Sequence, residues 1–363
     1  MTPLLFDAHL DLSLNAIEWN RDLTLPLAEI RAREAHLTDR PDRGRGTVCL
    51  PELRRAGAAV VVATQLARTE HNQFSPVFGW RSPAQAWAMT QAQAAWYRAM
   101  EEAGEMISIR NSAALHAQLA RWESADEVIR ETLPVGYILS LEGADSLISL
   151  KHLAQAVEKD GLRAVGPAHY GPGVYAQGTD TAGPFPTKGL ELLREMDRLG
   201  LILDVTHLSD ESFWQALDVF QGPVWASHHN ARKLVPHQRQ LADEMFLALV
   251  ERGAVVGVAL DAWMITPGWI RGKTTPQSAD QRLDHLADHI DHYCQLAGNS
   301  RHVGIGSDLD GAFGTEQTPQ GVDSVADLRK LIPLLQDRGH SAEDIDNIFS
   351  ANFVRFLGSA WGD

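Results

Sequence analysis

Six places in this 363-residue sequence set a histidine or a carboxylate directly behind a short apolar run. The first is "LLFDAHLDLSLN", where His9 and Asp11 are separated by one residue. Residues i and i+2 of an extended chain share a face, so these two side chains converge on one point. Glu142 ends "VGYILSLEG", His169 ends "LRAVGPAH" and His207 ends "LILDVTH", while His228 ends "PVWASH" and Asp308 ends "HVGIGSD". Singly, each has an ordinary structural role: Glu142 as a helix cap in "EGADS", His207 as a loop histidine, Asp308 as a turn residue in "SDLDG". Jointly, the uniform choice of His, Asp and Glu points to metal binding or proton transfer. Nitrogen and carboxylate ligands without thiolate suit zinc, and also accept manganese, cobalt or iron. His9, Asp11, Glu142, His207 and His228 are too many for one catalytic zinc with an open position. They fit two metals about 3.5 Å apart with a carboxylate between them.

These residues require elements that bring them together. Eight short runs rich in Val, Ile and Leu punctuate the chain, the remaining two being "AAVVVAT" (58–64) and "AVVGVAL" (254–260). Between them, helical patterns are predicted over 83–104, 187–200, 241–253, 277–297 and 323–339. The first starts at a proline and stops at a glycine. The second sets Leu190, Leu193, Met196 and Leu199 at three-residue intervals before Gly200. Apolar strands alternating with helices imply a parallel sheet, and eight such units imply a closed (β/α)₈ TIM barrel. The alternative, a doubly wound open sheet, lacks its Gly-rich phosphate turn after the first run. The charged stretch at about 21–46 has broken periodicity and is expected to be a loop or short-helix excursion from a single barrel domain spanning 1–363.

Such a barrel carries its chemistry at the C-terminal ends of its strands, which is where the six polar run-ends fall. With 44% hydrophobic residues and a net charge of -15, the composition is that of a globular protein and argues against nucleic acid and anionic membrane surfaces as partners. No apolar run approaches the roughly 18 residues of a membrane span, and the first 20 residues lack a signal-peptide pattern. Cys49 and Cys294 cannot form a disulfide framework and fit a reducing compartment, so a cytoplasmic location is expected. Barrel exteriors often support a homodimer, although composition singles out no patch for one.

The motifs "DAHLD", "SLEGAD", the run ending in His169, "DVTH", "SHHNAR" and "GSDLDG", in this order, resemble the membrane (renal) dipeptidase family. Its members are amidohydrolase-like barrels with a binuclear zinc site. The resemblance covers essentially the whole chain, to the C-terminal "ANFVRFLG". It implies that His9 and Asp11 hold the first metal, that Glu142 bridges, and that His207 and His228 hold the second. It implies further that His169 contacts the scissile carbonyl oxygen, that Arg239 grips the substrate carboxylate, and that Asp308 handles the proton of the attacking water.

Some positions depart from the family pattern. Ala8 and Leu10 stand where relatives often carry Gly and Asn, which leaves the ligands intact. In "SHHN", His228 is chosen by register, and His229 is expected to pack outward. The segment "ALDAWM" (259–264) replaces an Asn-Phe-Tyr-like segment that shapes the side-chain pocket. Animal members' secretion and lipid-anchor signals have no counterpart in the sequence, so "membrane" is not carried over. His71, Trp80 and Trp263 lie on loops after the second and seventh runs and are candidates for the pocket wall.

The activity so implied is zinc-dependent hydrolysis of the single peptide bond of dipeptides, L,D-dipeptides among them, by a metal-activated water. The alternatives are N-acyl-amino-acid deacylation or opening of a cyclic amide or lactone at the same site, and, from another class, a non-catalytic ligand-binding relative. Such a relative is expected to have lost a ligand or the proton shuttle, and none is missing.

Overall fold

A computed structural model describes residues 3–69 and 79–362. Eight parallel strands surround the core: β1 (Leu5–Leu10), β2 (Ala58–Leu66), β3 (Val135–Glu142), β4 (Ala164–Gly166), β5 (Ile202–Asp204), β6 (Val224–Trp225), β7 (Val256–Val258) and β8 (Val303–Ile305). Their spatial order is β7-β8-β1-β2-β3-β4-β5-β6. Asp7 of β1 is registered with Val61 on one side and Ile305 on the other. The ring is completed between β6 and β7, where Ala226 lies opposite Val256. There the Ala226 amide donates to the Val255 carbonyl at 3.1 Å and the Gly257 amide donates to the Ala226 carbonyl at 2.9 Å. The chain thus forms the expected (β/α)₈ barrel, with each of the eight runs supplying one strand.

Every residue of β2 and β3 is buried. Staves packed between an apolar interior and an outer layer of helices have no wet face, hence their unbroken apolar sequence. Strands β4 to β8 are only two or three residues long, much shorter than the runs that contain them, because the chain bends away from the ladder before the run ends.

The predicted helices form, with shifted limits. Pro83–Glu102 begins behind Ser82, whose hydroxyl accepts from the Gln85 amide. In Thr187–Arg198 the buried face is Leu192, Leu193 and Met196, a helical stripe and not the three-residue row ending at Leu199. Asp243–Glu251 falls within its predicted range, and Leu283–Ala297 starts six residues late. The pattern at 323–339 divides into Val325–Lys330, a tight 3₁₀ turn, and the helix Leu331–Asp337. Not anticipated is a further strand, Met106–Ser108, which pairs with β3 outside the ring.

The excursion contains the helix Leu27–Glu34 and is clamped by Arg21. Its guanidinium donates to Glu34 at 2.9 and 3.2 Å, to the Asp42 carboxylate at 2.8 Å and to Asn15 Oδ1 at 2.7 Å. Asp310, on the loop after β8, lies 3.6 Å from the same guanidinium. It also accepts from the Thr47 and Val48 amides. The excursion and the loop behind β8 are therefore tied together underground. Among the described residues no helix is long and apolar enough to cross a membrane.

Candidate active site

Five side chains share one address. His169, His207, His228, Asp261 and Asp308 each stand three residues past the last residue of β4, β5, β6, β7 and β8, respectively. His9 and Glu142 are within β1 and at the end of β3, and Asp11 follows β1 directly. A shift of pairing register between Asp7 and Leu10 sits where β1 delivers His9 and Asp11. Two glycines let the last staves approach: a Cβ on Gly257 or Gly306 would lie 2.0 or 1.8 Å from the Ser227 carbonyl. His207 and Asp308 take left-handed backbone, with φ of 70° and 57°. Strain of this kind in non-glycine residues costs about 1–3 kcal/mol each and concentrates at functional sites.

The donor atoms crowd at a common spacing. Glu142 Oε1 is 3.2 Å from His207 Nε2 and 3.4 Å from His228 Nε2, and those two imidazole nitrogens are 3.2 Å apart. His9 Nε2 is 3.6 Å from Glu142 Oε2, 3.8 Å from Asp308 Oδ1 and 4.0 Å from Asp11 Oδ2. Among the described residues that buried nitrogen has no hydrogen-bond partner. Donors bound tetrahedrally to one ion at about 2.1 Å stand roughly 3.4 Å from one another, so the observed separations match ligands around an ion. His9, Asp11 and Glu142 form one group able to hold a metal, His9, His228 and Asp308 another, and Glu142, His169 and His207 a third.

The surroundings orient these donors. Ser227 Oγ lies 2.8 Å from His228 Nδ1, Thr179 Oγ1 lies 2.8 Å from His207 Nδ1, and the Thr64 hydroxyl donates to Asp11 Oδ1. Contacts of this type fix the ring and carboxylate that face an ion. Asp7 does not reach the cleft; it accepts from the Ser307 amide at 2.8 Å and from its hydroxyl at 2.5 Å, holding the strand that leads to Asp308.

Electrostatics divide the groups. Burial depresses His9, but Glu142, Asp11 and Asp308 outweigh it and raise its pKa to about 10. Burial drives His169 down to about 4 and, with the Arg239 charge among the causes, holds His207 and His228 well below the imidazole range. Neutral imidazole is the form that binds metals; a cation beside His9 would displace the proton that its carboxylate neighbours favour. Burial opposes ionisation of Glu142, yet His9 and His169 with the His207 contact keep it well below its usual value. Asp308 is pushed well above the carboxylate range by burial and by Asp11 and Glu142, against the pull of His9.

These groups, apart from His9, line one cleft. Arg239 lines it too, at 1% exposure. Its Nη2 donates to the His228 carbonyl at 3.0 Å, whereas Nε and Nη1 have no partner among the described residues. Leaving buried charged donors unmatched is expensive, so this edge of the guanidinium calls for an anion. His229 is buried and belongs to none of the metal-capable groups among the described residues. Trp80 and Trp263 are not among the cleft residues, and His71 lies outside the described residues. The sequence pattern did not single out Asp261, Tyr170 or Arg271, all of which line the cleft. Asp261 shares the three-residue offset, which was the available signal; Arg271 sits in a loop without periodicity.

A parallel barrel with imidazoles and carboxylates packed at one mouth has the character of a metal-dependent hydrolase. The profile of the family described as membrane dipeptidase (peptidase family M19) matches residues 3–361, and the chain belongs to that family. A Klebsiella pneumoniae protein from the pqqA 5′ region is 28% identical over 243 residues, 65% of this chain and 86% of that protein. Dipeptidase aclJ of Aspergillus oryzae is 31% identical over 229 residues, 62% of this chain. That match spans 51% of the Aspergillus protein, so the chain covers about half of it. A crystal structure of a metallopeptidase from Rhodobacter sphaeroides, bound to a phosphinate mimic of L-Ala-D-Ala, superposes with TM-score 0.77 at 22% identity, covering 99% of this chain and 100% of that one. Another, the M19 metallopeptidase called dipeptidase AC, gives TM-score 0.78 at 23% identity over the full length of both chains.

Proposed function

We propose that this chain is a dipeptidase requiring two divalent ions, zinc in the first instance with manganese, cobalt or iron(II) as substitutes. It would hydrolyse the single peptide bond of dipeptides, L,D-dipeptides among them, with residues 1–363 acting as one barrel domain. His9 and Asp11 would hold one ion, His207 and His228 the other, and Glu142 both. Ions of this kind bring the pKa of a water to about 7 and polarise a carbonyl oxygen.

The residues of the chain do the rest. His169, neutral at pH 7, donates an N–H to the carbonyl oxygen of the scissile bond. Asp308, in its ionised form, takes the proton of the attacking water and passes it to the leaving nitrogen, which is too basic to depart as an anion. Arg239 pairs with the free C-terminal carboxylate through its open Nε and Nη1 edge, a geometry suited to two parallel bonds. Two unpaired cysteines are in keeping with a reducing, cytoplasmic setting.

One observation carries this proposal. A donor set at ion-ligand spacing and a buried guanidinium with two open nitrogens share a single cleft. The mimic bound to the Rhodobacter enzyme supports an L,D-dipeptide as one substrate.

The test combines metal analysis with a screen of L,L-, L,D- and D,L-dipeptides on metal-replete protein. Amino acid release is expected, with Arg239→Ala lowering kcat/KM by about 100-fold. No release from any dipeptide with two metals bound would refute dipeptidase activity. In that case N-acyl amino acids and cyclic amides or lactones are the substrates to try, and a lactonase would tolerate Arg239→Ala.

A further inference from the structure

The loop after β7 adds a second cation to the cleft. Arg271 Nη2 donates to Asp261 Oδ2 at 3.2 Å and to the Tyr170 hydroxyl at 3.3 Å. Its guanidinium carbon lies 5.3 Å from the Trp263 ring centre and 5.9 Å from that of Tyr170, within the range of cation–π attraction. Those contacts hold the group without occupying its other N–H donors, and among the described residues Nε and Nη1 make no hydrogen bond.

Asp261 is committed as an anchor. It is 4% exposed, and its second oxygen accepts from Gln317 Nε2 at 2.7 Å. The loop turns at Gly268 and Gly272, both in left-handed backbone, and Gln281 ties it back to Ala262 and Thr266 at 2.7 Å each. Arg271 is thus placed by a built framework, unlike a solvated loop arginine.

Arg239 and Arg271 both line the cleft, together with Tyr170 and Asp261. A substrate residue whose α-carboxylate pairs with Arg239 would share the cleft with Arg271. An acidic side chain would find open N–H donors there, an aliphatic one would leave them to water, and a basic one would meet a like charge.

We propose that Arg271, positioned by Asp261, determines specificity, and that the preferred substrates are dipeptides with aspartate or glutamate as the C-terminal residue. This rests on the dipeptidase function proposed above. The experiment compares Ala-Asp, Asp-Ala, Ala-Ala and Ala-Lys, each with L and D C-terminal residues, on metal-loaded protein. Ala-Asp is expected to exceed Ala-Ala in kcat/KM by about 10- to 100-fold, the range of a charge-assisted hydrogen bond. Arg271→Met should lower kcat/KM for Ala-Asp by about 10- to 100-fold more than for Ala-Ala, chiefly through KM, while Arg271→Lys keeps part of the advantage.

Calorimetry with free aspartate against free alanine gives a second readout. Aspartate is expected to bind at least tenfold tighter, and only when Arg271 is present. Equal turnover of Ala-Asp and Ala-Ala, a preference for Asp-Ala, or equal loss on both substrates in Arg271→Met would overturn the assignment while leaving dipeptidase activity standing. No turnover of any dipeptide, with aspartate and alanine bound alike, would remove both.

Discussion

Replacing Arg21 by methionine isolates the buried clamp beneath the excursion. Arg21 is 3% exposed and gives five hydrogen bonds, to Glu34 twice, to the Asp42 carboxylate and carbonyl, and to Asn15. Methionine fills much of the volume and removes the charge. Breaking a buried ion pair from one side costs about 3–5 kcal/mol, because the remaining charges are left uncompensated. Glu34 keeps Arg43 at 2.6 Å and the Gly44 amide at 2.9 Å, and Asp42 keeps the Trp19 indole N–H at 2.8 Å. The lower part of that range, about 3–4 kcal/mol, is therefore expected. For a chain of this length the unfolding entropy is roughly 0.8 kcal/mol/K, which converts the loss into a fall in Tm of about 4–5 °C. Differential scanning calorimetry measures it, and hydrogen exchange should localise the loosening to residues 21–48 and 308–314. Adding Asp42→Asn should recover part of the loss by removing the stranded carboxylate. A fall in Tm below about 1 °C with unaltered exchange would refute the clamp.

Thr64→Val removes the hydroxyl that donates to Asp11 and should weaken metal retention about 10- to 100-fold, read by competition with a chelator. Glu18 tests the sign of a pH effect. Burial raises its pKa from 4.5 to about 7, with Arg40 pulling it down and Asp11 pushing it up. Between those two values the folded chain holds a proton that the unfolded chain has released, so this group's contribution to stability falls as pH rises through that window. Glu18→Gln should flatten the slope, with a difference from the parent between pH 4.5 and pH 7.5 on the order of 2 kcal/mol after discounting for partial exposure. Urea unfolding at the two pH values measures it.

The ring was readable because burial on both faces leaves a stave no choice of composition, and "AAVVVAT" or "VGYILSLEG" can hardly serve elsewhere. The strand ends were less so. "LILDVTH" contributes only Ile202–Asp204 to the ladder, since the turn into His207 needs left-handed backbone that no propensity announces. His9, Glu142, His207 and His228 were identifiable by type and position, and the structure brings them together. Asp261 was passed over because its neighbours match no motif, although its distance from β7 repeats that of four other site residues. Arg239 and Arg271 draw their meaning from which nitrogens stay unpaired, a property of tertiary packing. The row Leu190, Leu193, Met196, Leu199 misplaced one helix face because a helix repeats every 3.6 residues and not every three.

His9 and Asp308 come from opposite ends of the chain and meet because β1 is flanked by both β2 and β8. No contiguous fragment that stops short of β8 can assemble the complete constellation. Long-range closures of this kind are slow steps, since the entropy of joining distant segments must be overcome before contacts repay it. Ions that favour this arrangement over the unfolded chain would stabilise only the finished ring, by an amount that grows with their concentration. Occupancy would then act as a seal on assembly: a late-forming property that separates completed molecules from partly folded ones.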